Sequence, residues 1–269
     1  MRENSYQDKY EWNAEDYARH SASQKKWAKE LIDKMNLKGH EWVLDIGCGD
    51  GKVTAEIARH VPKGRVVGID ISEEMIAFAS QKFPTSQYPN LIFIRMDASA
   101  LSFREKFDIV FSNAVLHWIT NHKPVLKGIY QALKPNGKCI VQMGGKGNAA
   151  SVIETLDEII NERPWKEYFH DFSFPYGFYS PEEYKPWLEE AGFKIQYLEL
   201  KPKIMVHEDI EEFKGWIRTT WLPYLCRIPK KLRNRFIETV AQRYVEKYPP
   251  SNDGKIKTLM QRLEFIVTK

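Results

Sequence analysis

VLDIGCGDG, residues 43–51, decides how this chain folds. An apolar run, Trp42-Val43-Leu44, reaches an acid, Asp45, and then Gly47, Gly49 and Gly51 at alternate positions. Helix-compatible sequence, KVTAEIARHV (52–61), follows. Such a run is a buried parallel strand that ends in a loop and feeds a helix. Glycine lacks Cβ and tolerates φ > 0, so the loop backbone can come close to a ligand. The helix N-terminus behind it offers free N–H groups to anionic or polar atoms. A second apolar run, RVVGID (65–70), also ends in an acid, Asp70. An acid at the tip of the next strand is placed to accept hydrogen bonds from ribose hydroxyls.

The dinucleotide fingerprint is G-x-G-x-x-G, with pyrophosphate at the helix end. Here the spacing is G-x-G-x-G, and Asp45 precedes it. An acid there repels pyrophosphate and suits a cation, which sets an NAD(P)-dependent oxidoreductase behind a sulfonium nucleoside. DIGCGDG followed by GID resembles the cofactor-binding start of the class I S-adenosylmethionine-dependent methyltransferases. The resemblance implies S-adenosyl-L-methionine as cofactor. It implies that Asp45, Gly47, Cys48 and Gly49 hold its amino-acid part, and that Asp70, with Ile71 and Met75 behind it, holds its ribose. Cys48 also reads simply as a small residue filling tight space. Asp97-Ala98, after the run LIFIRM (91–96), would hold the adenine; capping of the next turn is the other reading of Asp97. In FDIVFSNAVLHWI (107–119), Asn113 stands at a strand end beside the point of methyl transfer, and His117 and Trp118 follow.

Strand-like segments at 42–46, 65–70, 91–96, 107–112 and 137–143 alternate with helix-like ones at 53–60, 73–82 and 122–133. Ser180-Pro181-Glu182-Glu183 reads as N-cap, N1, N2 and N3 of a further helix, and FKIQYLEL (193–200) and RLEFIVTK (262–269) as two more strands. The expected fold is therefore α/β, a doubly wound, mostly parallel seven-stranded sheet. Its core is expected over residues 41–144, 180–202 and 259–269, after cap helices in 1–40. Two helical insertions, 145–179 and 203–258, are expected to form a lid and substrate pocket over the carboxyl ends of the strands.

The segment WNAEDYARHSASQ (12–24) puts aromatic residues into polar sequence. Trp12 or Tyr17 closing over a sulfonium, with Gln24 near its carboxylate, is one reading; helix packing is the other. FKGWIRTTWLPYL (213–225) sets Arg218 among Trp216 and Trp221. Together WNAEDY, NAVLHW, WIRTTWLPYL and VEKYP (245–249) resemble the trans-aconitate methyltransferase family across nearly the whole chain. That family esterifies a carboxylate of a small polycarboxylic acid. The resemblance implies a catalytic Arg218 gripping the acid, with Trp118, Trp216 and Trp221 around it. His117, where a glutamine is expected, and the unfamiliar aromatic stretch 165–179 depart from the family. With a neutral acceptor, C- or N-methylation would need a base, and His117 would be the first candidate. A cofactor-binding protein without turnover is a third reading.

Composition narrows the partners. The 269 residues carry a net charge of +4 without a clustered basic face, apart from RIPKKLRNRF (227–236), which also reads as an amphipathic helix. A small-molecule substrate is expected, with no nucleic acid and no membrane. No apolar run approaches spanning length, and the polar N-terminus lacks a signal-peptide core. Cys48, Cys139 and Cys226 show neither metal-ligand spacing nor a disulfide framework, so no metal and a reducing cytoplasm are expected.

Overall fold

The computed structural model describes residues 12–16 and 22–269; for 22–26 only the backbone is described. Its elements are α1 (Ala22–Met35), β1 (Trp42–Ile46), α2 (Lys52–His60), β2 (Arg65–Asp70), α3 (Glu73–Lys82), β3 (Leu91–Arg95), β4 (Phe107–Asn113), α4 (Lys123–Ala132) and β5 (Leu133–Gly144). They continue with α5 (Ala150–Asn161), α6 (Pro181–Glu190), β6 (Lys194–His207), α7 (Ile210–Thr220), α8 (Leu222–Leu225), α9 (Lys230–Lys247) and β7 (Ile256–Thr268). The strands form one seven-stranded sheet, ordered β3-β2-β1-β4-β5-β7-β6. Only β7 runs antiparallel to its neighbours. Among the described residues no helix is long and apolar enough to cross a membrane.

The near-continuous apolar strands bury both faces of this sheet. One layer packs Leu44, Val67, Val110 and Val141 against α4 and α6; the other packs Val43, Val66, Ile109 and Ile140 against α1 and α2. Strand order reverses between β1 and β4, and the loops leaving these two strands open a crevice at their carboxyl ends. α6 begins as its sequence predicts. Ser180 Oγ accepts from the Glu183 N–H, and Glu183 returns a carboxylate oxygen to the Ser180 N–H. Ser180→Ala is expected to lower unfolding free energy by about 1 kcal/mol without changing cofactor affinity, measurable by denaturant titration.

Two boundaries differ from the sequence reading. The strand expected at 137–143 begins earlier, at Leu133, with an irregularity opposite Phe107–Ile109 where Asn136 takes the left-handed conformation at φ 63°. β6 and β7 also run further than expected: beyond the Gly144–Arg262 pairing that ends the contact with β5, residues 202–207 and 256–261 continue as a two-stranded ribbon. The extension passes through Pro202 and the lysines beside it, which an edge strand tolerates. The ribbon carries a separate apolar cluster, in which Met205, Ile256 and Met260 pack with Leu156 of α5, Trp216 of α7 and Phe236 of α9. The insertion between the two strands is thus 208–255.

Candidate active site

One large pocket lies where the sheet's carboxyl edge meets this second cluster, about 1180 Å³ counting its open mouth. Its first wall is the glycine loop. The N–H groups of Gly47 and Cys48 both donate to the Ile69 carbonyl, at 2.7 and 2.9 Å, which draws the tip of β1 onto β2. Gly47 has φ +74°, and a Cβ built there would stand 2.3 Å from both γ-carbons of Val115, in the loop leaving β4. Asp70 accepts from the Gly49 N–H through Oδ2 at 3.0 Å and from the Ser72 N–H through Oδ1 at 2.9 Å. Both bonds fix the carboxylate at the pocket wall, while burial pushes its pKa up. Gly47, Gly49, Asp70, Ile71, Met75 and Ala98 of the expected cofactor set all line the pocket, as does Trp12. Trp12 packs edge-on against Trp118, with ring centroids 5.1 Å apart.

Other expected residues stand elsewhere. Asp45 is buried behind the loop and takes the Thr54 hydroxyl at 2.7 Å, pinning β1 to α2; burial pushes its carboxyl up to about 7. Cys48 packs against the backbone of Gly68, as a space-filler would. Asp97 caps a short 3₁₀ turn through the Ser99 N–H at 2.8 Å, and Asn113 ends β4; neither is among the lining residues. Tyr17 and the side chain of Gln24 lie outside the described residues. Arg218 does not face the pocket either. Its guanidinium grips Asp16 at 2.6 and 2.8 Å, at a largely exposed position on α7. The pair joins α7 to the segment 12–16 and leaves the guanidinium pointing away from the pocket.

The second wall is aromatic. His117, Trp118, Trp216 and Trp221 line it as expected, joined by Tyr176 and Phe178, whose rings stack at 5.3 Å. His117 Nδ1 accepts from the Gly144 N–H at 3.3 Å, which leaves the imidazole proton on Nε2. Burial, then the positive charge of Arg262, holds the His117 pKa well below the usual range, so the ring is neutral. The indole N–H groups of Trp216 and Trp221 and the Thr220 hydroxyl are buried without a hydrogen-bond partner. Sequence reasoning singled out neither Arg262, Asn148 nor Trp27, all of which line this wall. For Arg262 a signal existed: a lone guanidinium inside an apolar strand.

A family model described as a methyltransferase domain matches residues 44–141. An uncharacterised methyltransferase of Schizosaccharomyces pombe is 32% identical over 96% of this chain and 98% of its own. The chain belongs to the class I S-adenosylmethionine-dependent methyltransferases. Trans-aconitate 2-methyltransferase of Shigella flexneri is 29% identical over 96% of this chain and 98% of its own. Phosphoethanolamine N-methyltransferase 2 of Haemonchus contortus, solved with S-adenosylhomocysteine, shares the fold at TM-score 0.61 and 18% identity, covering 95% of this chain and 57% of that one.

The cofactor of this methyltransferase is S-adenosyl-L-methionine, and the residues present fit it. The strand-tip wall offers the Gly47 backbone, packed against Val115 so closely that no Cβ fits, and an acid, Asp70, held at the wall by the Gly49 and Ser72 N–H groups. An acid at the strand tip accepts ribose hydroxyls, and glycines without Cβ let the backbone come close to the nucleoside.

Proposed function

We propose that this methyltransferase esterifies a carboxylate of a small polycarboxylic acid. One observation carries the reading: the aromatic half of the pocket is lined by donors. Arg262, the indoles of Trp216 and Trp221, and His117 Nε2–H only donate, and no Asp or Glu lines that half among the described residues. Thr219 and Tyr176 give their hydroxyl protons to the carbonyls of Gly215 and Thr220, Asn148 Oδ1 is turned to Arg262, and the Thr220 hydroxyl has a proton to donate. An acceptor-only ligand such as a carboxylate satisfies this set. The relatives named trans-aconitate 2-methyltransferase support the same substrate class.

When bound, the cofactor supplies an electrophilic methyl group on sulfonium. Asp70 would receive its ribose hydroxyls, Gly47 and Gly49 would let the backbone approach it, and Ala98 would border its adenine. A carboxylate is ionised near neutral pH, so it reacts without a base. His117 agrees with that, because Nε2 carries a proton and burial opposes a second one. The aromatic wall excludes water, and the donors align the acid; alignment of this kind supplies up to ~7–11 kcal/mol in favourable systems. The lid role of segments 145–179 and 208–255 belongs to this reading, since Tyr176, Phe178, Trp216 and Trp221 all come from them.

The test is a panel of di- and tricarboxylic acids with labelled cofactor, counting volatile methyl ester. Ester formed with kcat independent of pH above about 6 is expected, since the acid needs no activation. Cofactor binding without ester on any acid sinks the reading. So does a kcat ionisation that disappears in His117→Ala, which would restore a base and with it C- or N-methylation. Asp70→Ala is expected to weaken S-adenosylhomocysteine by about 1–3 kcal/mol, through loss of charged hydrogen bonds, with calorimetry as the readout.

A further inference from the structure

We propose that Arg262 is the residue that fixes the acceptor, gripping one carboxylate of the acid while another reacts; this rests on the carboxylate reading above. Arg262 sits mid-strand in β7, paired with Gly144 of β5 and Lys201 of β6. Gly144 is also the residue whose N–H holds His117, so the guanidinium and the imidazole reach the pocket from adjoining backbone positions. Arg262 is only 3% exposed and is the one lysine or arginine among the described lining residues.

Two described neighbours orient it. The guanidinium lies 5.4 Å over the Trp27 ring, and Nη1 reaches Asn148 Oδ1 at 3.5 Å. An indole face and an amide hold the planar fork in place. Glu264, two residues along on the same face of β7, is committed to Lys34, Lys201 and Gln142. A fixed guanidinium in a water-poor wall binds carboxylate bidentately and strongly.

The reactive end then follows. An oxygen lone pair of the free carboxylate forms the O–CH₃ bond as the C–S bonding pair passes to sulfur. No proton moves, and the anion and the sulfonium charge cancel. The anchored carboxylate must stay ionised, so the product is a monoester. An acid with one carboxylate can be anchored or methylated but not both, which makes Arg262 the selector for di- and tricarboxylates.

The experiment uses protein saturated with S-adenosylhomocysteine and calorimetric titration with trans-aconitate, and with a monocarboxylate of similar length. Wild type is expected to prefer trans-aconitate. Arg262→Gln should lose about 100-fold in trans-aconitate affinity and the preference with it, whereas Arg262→Lys, keeping charge without the fork, should lose about 10-fold. S-adenosylhomocysteine affinity, measured separately, should hold in both. Asn148→Asp, nearly isosteric, puts a competing carboxylate on the guanidinium and should also cost about 10-fold. Trans-aconitate binding by Arg262→Gln within threefold of wild type overturns the proposal. Should Arg262→Gln lose S-adenosylhomocysteine as well, Asn148→Asp decides, and unchanged acid affinity there overturns it. Wild type that binds S-adenosylhomocysteine but no acid defeats instead the carboxylate reading itself.

Discussion

Gly47→Ala is expected to reduce S-adenosylhomocysteine affinity more than about 100-fold and to destabilise the protein by several kcal/mol. Two independent effects add at this position. The backbone sits at φ +74°, where an L side chain costs about 1–2 kcal/mol. The added carbon also meets Val115 at 2.3 Å from both γ-carbons and 2.7 Å from Cβ. A Val115 rotamer change cannot relieve a clash that includes its own Cβ, so one of two backbones must move. Those backbones are the tip of β1 and the exit of β4, and Gly47 and Val115 both line the pocket. Gly254→Ala separates the terms. Gly254 has φ +78° with nothing within 4 Å of a built Cβ, so it should cost only the backbone term and leave binding untouched. Cofactor binding by Gly47→Ala at wild-type strength would mean that the loop does not form the cradle.

The fold was legible because its signals are local and redundant. β1, β2 and α3 fall on the residues expected, 42–46, 65–70 and 73–82, and the structure adds a Ser72 N-cap whose hydroxyl accepts from the Met75 N–H. Where the reading failed, a local rule met a tertiary exception. The strand expected over 193–200 runs on through Pro202 to His207, because β6 is an edge strand of the sheet, where a missing N–H costs no ladder bond. The site was legible on one side only. The strand tips place Asp70 and Gly49 by backbone geometry that the motif itself encodes. The opposite wall is assembled from β7, the segment after α5, and α7, and no spacing in the chain predicts that these meet. Arg218 shows the consequence. Its aromatic neighbours Trp216 and Trp221 do reach the pocket, but helix periodicity turns the position between them outward, onto Asp16. Arg262, hidden in an apolar strand, occupies the wall where the sequence had placed Arg218.

Segment 12–16 gains a role from the same swap. Asp16 ties it to α7 through the bidentate Arg218 pair, and Trp12 lies at the pocket against Trp118. A largely exposed ion pair contributes little to global stability, about 0–1 kcal/mol. It can still set where a short segment lies, and with Trp12 at the pocket that position shapes the mouth.

Acid should weaken the same region through a second histidine. His122 Nε2 donates to the Ile119 carbonyl at 2.6 Å, so Nδ1 is the acceptor for the Tyr184 hydroxyl at 2.9 Å. Burial pushes its pKa down from 6.5 to about 4. The folded value is depressed, so below pH 6.5 the unfolded chain takes up a proton that the native ring refuses. Stability from this group is therefore complete above the unfolded value and is lost as pH falls towards about 4, by about 3 kcal/mol in all. Asp45 works in the opposite sense, because its folded carboxyl is raised to about 7 and keeps a proton the unfolded chain sheds. The total stability curve mixes the two, so the measurement is a difference. In His122→Gln, whose amide can donate to Ile119 and accept from Tyr184 without titrating, the deficit against wild type should shrink by about 3 kcal/mol between pH 7 and 4. Parallel stability curves for the two proteins would refute the assignment. The effect bears on function because Ile119 ends the turn that carries His117 and Trp118. Charging His122 keeps its bond to the Ile119 carbonyl but ends the one it accepts from Tyr184, so the contact between this turn and α6 is what acid weakens, and activity should fall with stability, less so in His122→Gln.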